Sequence, residues 1–304
     1  MPQAIAIIGP TGVGKTDISL EIAEKFAGEI ISVDSMQIYR HMNIGTAKAT
    51  FAERARVPHY LIDIVDPDEE YNAANFTRDA LIAAKQIHAK GKIPILVGGT
   101  GLYIKSLLKG IFDTKPVNHD LRAYLKKELQ EKGSAVLYQE LVTCDPAAAQ
   151  KIHPNDHYRI LRALEVFKTS GTPRSLHFEK QEYENPFKRV LKIGLTCINR
   201  QTLYDRINQR VEMMIKLGLI DEVNTLLEMG YSPDLKPMQS IGYRHMVNHI
   251  LQKWTLDESL NLMARDTRRY AKRQFTWFNA DPEIVWYENN QQDMIINQIN
   301  NHIN

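Results

Sequence analysis

The segment Gly9-Pro10-Thr11-Gly12-Val13-Gly14-Lys15-Thr16 constrains this 304-residue chain more than any other part of it. It fits G-x-x-x-x-G-K-[ST], follows an apolar run at residues 4–8 and precedes a stretch, 17–26, that can form a helix. Strand, glycine turn and helix in that order make a phosphate-binding loop. The glycines let backbone N–H groups turn inward, and the helix N-terminus adds partial positive charge. Lys15 supplies a cation, and the Thr16 hydroxyl can ligate Mg²⁺.

Further along, apolar runs at 29–33 and 93–97 and an amphipathic stretch at 76–89 continue the pattern as β-α-β and then α-β. Short continuous apolar runs suit a parallel sheet covered on both faces, with Pro94 tolerated near a strand start. From 113 to 185 the pattern turns helical, with Leu121, Leu125 and Leu129 at i, i+4, i+8 and a second helix at 156–167. Strand character returns at 189–196, read as a sixth or later strand of the core sheet. Helices follow at 201–217, 221–229, around Gly242 and at 256–278. The expected fold is therefore α/β: a P-loop NTPase-like parallel-sheet core (1–112), an inserted all-helical domain (113–188), and a return to the sheet with a helical C-terminal part (189–304). The Asn/Gln-rich tail at 289–304 reads as a weakly packed end. The charges at Arg174, Glu179, Lys180 and Glu182 carry no assignable role.

A hydrophobic share of 43% and a charged share of 24% sit close to soluble globular averages and argue neither for disorder nor for a membrane protein. The N-terminal apolar run is too short for a signal peptide, and no stretch approaches the roughly 20 residues of a spanning helix. Cys144 and Cys197 can build neither a disulfide framework nor a four-cysteine zinc site, which fits a reducing cytoplasm. With a net charge of only +2, any nucleic-acid binding must rest on local basic surface.

Most P-loops hold a nucleoside triphosphate, and hydrolases place an acid after a core strand to hold Mg²⁺ and organise water. Here the strand at 93–97 runs into Gly98-Gly99-Thr100-Gly101-Leu102-Tyr103 with no carboxylate. One acid does follow a strand, Asp34, and in an open α/β sheet Asp34, Thr100 and the P-loop can share one crevice. A metabolite kinase and a nucleotide-switched RNA-binding protein are the competing readings; both require nucleotide binding.

Taken in order, the motifs resemble those of the bacterial tRNA dimethylallyltransferases, also called tRNA isopentenyltransferases. The resemblance rests on the P-loop, Asp34-Ser35-Met36-Gln37-Ile38-Tyr39, Ile44-Gly45-Thr46-Ala47-Lys48 and Val97-Gly98-Gly99-Thr100-Gly101-Leu102-Tyr103. It continues through His153-Pro154-Asn155-Asp156, Arg159, Arg162-Ala163-Leu164-Glu165, Arg206-Ile207 to Arg210, Ile241-Gly242-Tyr243-Arg244 and Ala271-Lys272-Arg273-Gln274-Phe275-Thr276-Trp277. It implies transfer of a dimethylallyl group from its diphosphate, with Mg²⁺, to the exocyclic amine of the adenosine 3′ of the tRNA anticodon. By resemblance the P-loop holds the diphosphate, and Thr100 and Arg210 contact it or the reacting nucleotide. The tRNA-contacting residues implied are Asp34, Ser35, Met36, Gln37, Thr100, Arg122, Tyr158, Arg159, Ile160, Leu161, Arg162, Gln239, Ser240, Ile241, Gly242, Tyr243 and Arg244. A monomer working in the cytoplasm is expected.

The residues can be assigned chemistry on their own terms. An adenine amine is a poor nucleophile, so a base beside it helps, and Asp34 is the candidate; the plainer role for Asp34 is a helix N-cap after a strand. Ile38, Tyr39 and Leu102 are candidates for an apolar slot, or are plain core. Arg265, Arg268, Arg269, Lys272 and Arg273 fall along one helical face, interrupted only by Asp266. They suit either phosphate contacts or a solvated helix face, and Phe275, Trp277 and Phe278 either stack or pack. His153 and His157, four apart, read as structural, since Pro154 intervenes and no further ligand is near.

Overall fold

The computed structural model describes residues 3–110, 119–179, 183 and 185–303. The chain divides into two compact units, one from Met1–Lys109 with Asn185–Asn304 and one from Gly110–Glu184. The boundary expected at 112–113 lies outside the described residues, as do Lys180 and Glu182.

The larger unit is built on a parallel sheet of β1 (Gln3–Ile8), β2 (Gly28–Val33), β3 (His59–Tyr60), β4 (Ile93–Gly98), β5 (Arg189–Thr196) and β6 (Ile284–Glu288). Their order across the sheet is β3-β2-β4-β1-β5-β6. β1 and β2 are buried along almost their whole length, which is why they read as continuous apolar runs rather than alternating ones. β5 corrects the expectation of a sixth or later strand: it is the fifth, and it lies inside the sheet between β1 and β6. The sequence reading has no counterpart to β3, which is two residues long, or to β6, whose brief run Ile284-Val285-Trp286-Tyr287 borders the polar tail.

Register decides where the site sits. Ile8 of β1 and Val33 of β2 both pair with Gly98 of β4, so three strands end level at their carboxyl ends. Only a glycine fits at Gly98, because a Cβ there would lie 2.1 Å from the Val33 carbonyl oxygen. Around the sheet lie α1 (Lys15–Lys25), α2 (Phe51–Arg56), α3 (Ala73–Ala89) and α4 (Gly101–Lys109).

The smaller unit contains α5 (His119–Lys132), α6 (Ser134–Cys144), α7 (Pro146–Ala149), α8 (His157–Ser170) and α9 (Arg174–Glu179). Leu125, Leu137, Leu141, Ile160 and Leu164 form its core. Buried Asp145 ties its loops, accepting from the Ala148 N–H at 3.0 Å and from the Ser175 hydroxyl at 2.6 Å.

After β5 the larger unit resumes with α10 (Arg200–Lys216), α11 (Leu219–Glu228), α12 (Tyr243–Ile250) and α13 (Leu256–Phe278), and after β6 with α14 (Gln292–Ile303). α14 overturns the expectation of a weakly packed tail. Its Ile295 and Ile299, 1% and 0% exposed, join Ile5, Ile7 and Ile193 in the core against the sheet. The Asn residues of the helix are exposed, and Gln298 is half-buried. Cys144 and Cys197 are both free thiols. Among the described residues no helix is long and apolar enough to cross a membrane.

Candidate active site

A cavity of about 1320 Å³ opens where β1, β2 and β4 end together, and its wall includes Thr11, Gly12, Gly14, Lys15, Thr16, Asp34, Gly98, Gly99 and Arg210. The P-loop takes the shape its glycines allow. Gly9, with φ 151°, has no room for a Cβ, which would lie 2.5 Å from the Leu195 carbonyl oxygen. Gly14, at φ 93°, begins α1 without a side-chain cap, so the first N–H groups of the helix remain free for an anion.

Lys15 folds back over the loop and donates to the carbonyls of Gly9 at 3.0 Å and Pro10 at 2.8 Å. Burial and the neighbouring Arg210 guanidinium bring its pKa down to about 7, although the Asp34 carboxylate pulls the other way. Burial likewise draws Arg210 below its ordinary value, with Asp34 again opposing. Two cations short of counter-charge beside an open helix N-terminus describe an anion site.

Asp34 lies in the cavity wall, and what it caps after β2 is a turn, not the helix expected there. Its Oδ1 accepts from the Met36 N–H at 2.8 Å and the Gln37 N–H at 3.2 Å, which fixes the turn after β2. Its other oxygen is left for the cavity. Thr100, by contrast, is absent from the cavity wall. Its hydroxyl accepts from the Ser35 N–H at 3.1 Å and bonds the Tyr270 hydroxyl, so it braces Asp34's turn from behind.

Three positioning residues have no role in the sequence reading, although Gln274 stands in one of its motifs. Gln274 on α13 is buried and spans two strand ends. Its Oε1 accepts from the Thr11 N–H at 2.9 Å and its Nε2 donates to the Gly99 carbonyl at 2.9 Å. One turn earlier, Tyr270 bonds both Gln274 and Thr100, and burial together with Asp34 pushes its hydroxyl up to about 12. Glu222 on α11 accepts from the backbone N–H groups of Asn43 at 2.9 Å, Ile44 at 2.8 Å and Gly45 at 3.2 Å, and from the Tyr243 hydroxyl at 2.6 Å. This explains the Ile44-Gly45-Thr46 motif, since a Cβ on Gly45 would lie 2.4 Å from the Tyr243 ring. The only cue in sequence for any of these residues is a polar side chain at a helix position that proves buried or half-buried.

Of the residues expected to meet RNA, Ser35, Met36, Gln37, Gln239, Ser240, Ile241, Tyr243 and Arg244 line the cavity, and Gly242 (φ 96°) turns the chain between them. The Tyr243 ring is fully buried, so it is not exposed for stacking on a base. In the smaller unit Tyr158 is 77% exposed, and exposed Arg159 lies 3.3 Å from Asp156. Arg122 and Arg162 both pair with buried Glu165, at 2.9 Å and 3.0 Å. Ile160 is 0% exposed in that unit's core, so its side chain is unavailable to a ligand, and Leu161 packs against the same core.

The stripe on α13 is less cationic than its sequence suggests. Asp266 takes Arg244 at 2.6 Å, Arg265 at 3.0 Å and Arg269 at 3.9 Å, while Arg268 donates to Asn208 at 2.6 Å. Lys272 and Arg273 remain exposed at its end. Phe278 is core, and Trp277 covers Gly101. Ile38 and Tyr39 are core, Leu102 is half-exposed, and none of the three lines the cavity. Its apolar wall comes instead from Val97, Ile207, Val211, Met214 and Met263.

The model of the IPP transferase family matches residues 37–281. A tRNA dimethylallyltransferase of Desulfosudis oleivorans is 49% identical over 288 residues, 94% of this chain and 91% of that protein. Among solved structures, the tRNA isopentenylpyrophosphate transferase of Bacillus halodurans superposes with a TM-score of 0.70 at 40% identity, covering 100% of this chain and 96% of the other. A eukaryotic dimethylallyltransferase captured acting on tRNA gives 0.83 at 32% identity, covering 100% and 80%. A P-loop at the centre of a parallel sheet, a lone carboxylate after β2 and likeness along nearly the whole length agree, and the chain belongs to the IPP transferase family.

Proposed function

We propose that the cavity binds dimethylallyl diphosphate and that N6 of the adenosine 3′ of a tRNA anticodon attacks its allylic carbon. The observation that carries this reading is the meeting, in one cavity, of under-compensated positive charge at Lys15, Arg210 and the open end of α1 with one free oxygen of Asp34. The new N–C bond forms as the allylic C–O bond breaks, and the bonding electrons leave with diphosphate. The amine proton passes to Asp34. Lys15, Arg210 and the P-loop N–H groups stand where negative charge grows on the leaving group, and they need no reorganisation to meet it.

Among the described residues no three His, Cys, Asp or Glu side chains converge on a metal position. The donor set is the Thr16 hydroxyl together with the substrate's own phosphate oxygens, which suits Mg²⁺, an ion that keeps several waters and binds largely through phosphates. Thr16 would hold it, and its chemistry there is to neutralise charge on the departing diphosphate. Exposed Tyr158 and Arg159 offer the smaller unit's contact to RNA, and the reaction belongs in the cytoplasm with its tRNA. The test is digestion of unmodified tRNA after incubation with the protein, Mg²⁺ and either dimethylallyl diphosphate or ATP. Mass spectrometry should find a dimethylallyl adenosine with the first donor alone; ATP consumption without that product would overturn the reading.

A further inference from the structure

Phe51 begins α2 and is 90% exposed, unusual for a ring of that size. α2 itself buries no residue and enters the core only through its C-cap, Val57; along the helix, polar contacts hold it. Thr50 and Glu53 form a reciprocal capping box, with Oε2 of Glu53 accepting from the Thr50 N–H at 2.6 Å. Arg54 donates to the Ala49 carbonyl at 2.8 Å and to Asp63 at 2.7 Å, and Asp63 also holds buried Lys48 at 2.6 Å. Arg54 thus fixed lies 5.7 Å from the centre of the Phe51 ring, a cation–π arrangement that backs the ring while leaving it open to solvent. Phe51 also lines the cavity that contains Asp34.

An aromatic left 90% exposed on a helix held along its length by polar contacts is a surface held ready for a planar partner. In the same cavity wall Arg40, Lys48 and Arg54 are paired with Asp66 and Asp63, but seven Lys and Arg side chains stand against four Asp and Glu, an excess that favours a polyanion over an apolar protein segment. The five-carbon donor chain is a poor fit, because 90% exposure leaves it in water. An extruded target nucleotide, on the other hand, leaves neighbouring bases without their stacking partners. We propose that Phe51 is a stacking platform for an unpaired base flanking the reacting adenosine, so that it grips single-stranded RNA at the cavity mouth. This rests on the function proposed above.

The experiment uses the full chain with an unmodified anticodon stem-loop, measuring RNA binding by fluorescence anisotropy and transfer kinetics with dimethylallyl diphosphate. Phe51→Ala should raise the RNA Kd and KM by about five- to a hundred-fold. The donor KM and kcat should stay within about twofold, as expected for uniform binding lost. Phe51→Trp should restore binding, whereas Phe51→Leu, which keeps apolar area but no π-face, should not. Unchanged RNA affinity in Phe51→Ala, or full rescue by Leu, would overturn the proposal. A wild type that binds the stem-loop but makes no prenylated product would sink the function above, and the binding titration would still decide the role of Phe51.

Discussion

On the proposed reading, Lys15 governs the pH behaviour of the site and Asp34 its turnover. Lys15, brought to about 7 chiefly by burial, gives up its proton in the free protein near neutral pH. A bound diphosphate would restore that proton. Donor binding should therefore take up protons between about pH 7 and 9, which calorimetry in buffers of different ionisation enthalpy can measure; binding without uptake would contradict the assignment. The same shift bears on stability. The folded chain holds fewer protons than the unfolded chain from about 7 up to the ordinary lysine value of 10.5, so this group makes stability rise with pH across that window. Lys15→Met should flatten that rise in thermal melts. For Asp34, removal of the carboxylate in Asp34→Ala should lower kcat by about 10²- to 10⁴-fold. Because Asp34 also organises the Met36 and Gln37 N–H groups, Asp34→Asn, which keeps an acceptor, is the cleaner variant. Turnover close to wild type in Asp34→Asn would remove it as the base.

At the scale of elements, legibility follows distance along the chain. The P-loop, β1 and α1 can be read because one short stretch must supply strand, turn, cation and helix N-terminus together. α13 is visible end to end, Leu256–Phe278, because its charges recur at helical spacing; in the structure a Thr255–Glu258 capping box starts it. What its inner face does is not visible: Gln274 meets Thr11 across 263 residues, and Glu222 meets Asn43 across 179. Nothing local marks such pairs, since a buried glutamine and an exposed one look alike until the fold closes. The cationic stripe errs the other way, because Asp266 lies one residue from Arg265 yet its neutralising reach includes Arg244 on α12. β2 carries a similar hidden contact. Burial pushes Glu29 upward, but Lys92, Lys90 and Tyr60 together hold its carboxyl down at about 2. Its contribution is complete above the ordinary carboxylate value of 4.5 and is lost as pH falls toward 2. Glu29→Gln should therefore destabilise the protein at pH 7 by on the order of 2 kcal/mol and much less at pH 3, as denaturant melts at the two pH values would show.

Considered as a whole molecule, the larger unit closes its sheet with the last part of the chain. The Asn/Gln-rich composition of α14 hides two isoleucines at i, i+4, and those two residues decide how it packs. Ile299→Ala should cost about 2–5 kcal/mol, as for other buried isoleucines, and a change under 1 kcal/mol in urea unfolding would show that α14 is peripheral. The helix is joined to β6 through Asn289, whose Nδ2 donates to the carbonyl of Val13 inside the P-loop, packed so closely that a Cβ on Gly14 has no space. Gln274 reaches Thr11 of the same loop. The phosphate-binding segment, complete as a motif by residue 16, is thus held in shape by side chains synthesised more than 250 residues later. On the proposed reading, a nascent chain that has made its P-loop has not yet finished its phosphate site, since two side chains that shape the loop arrive only when residues 274 and 289 come back to it.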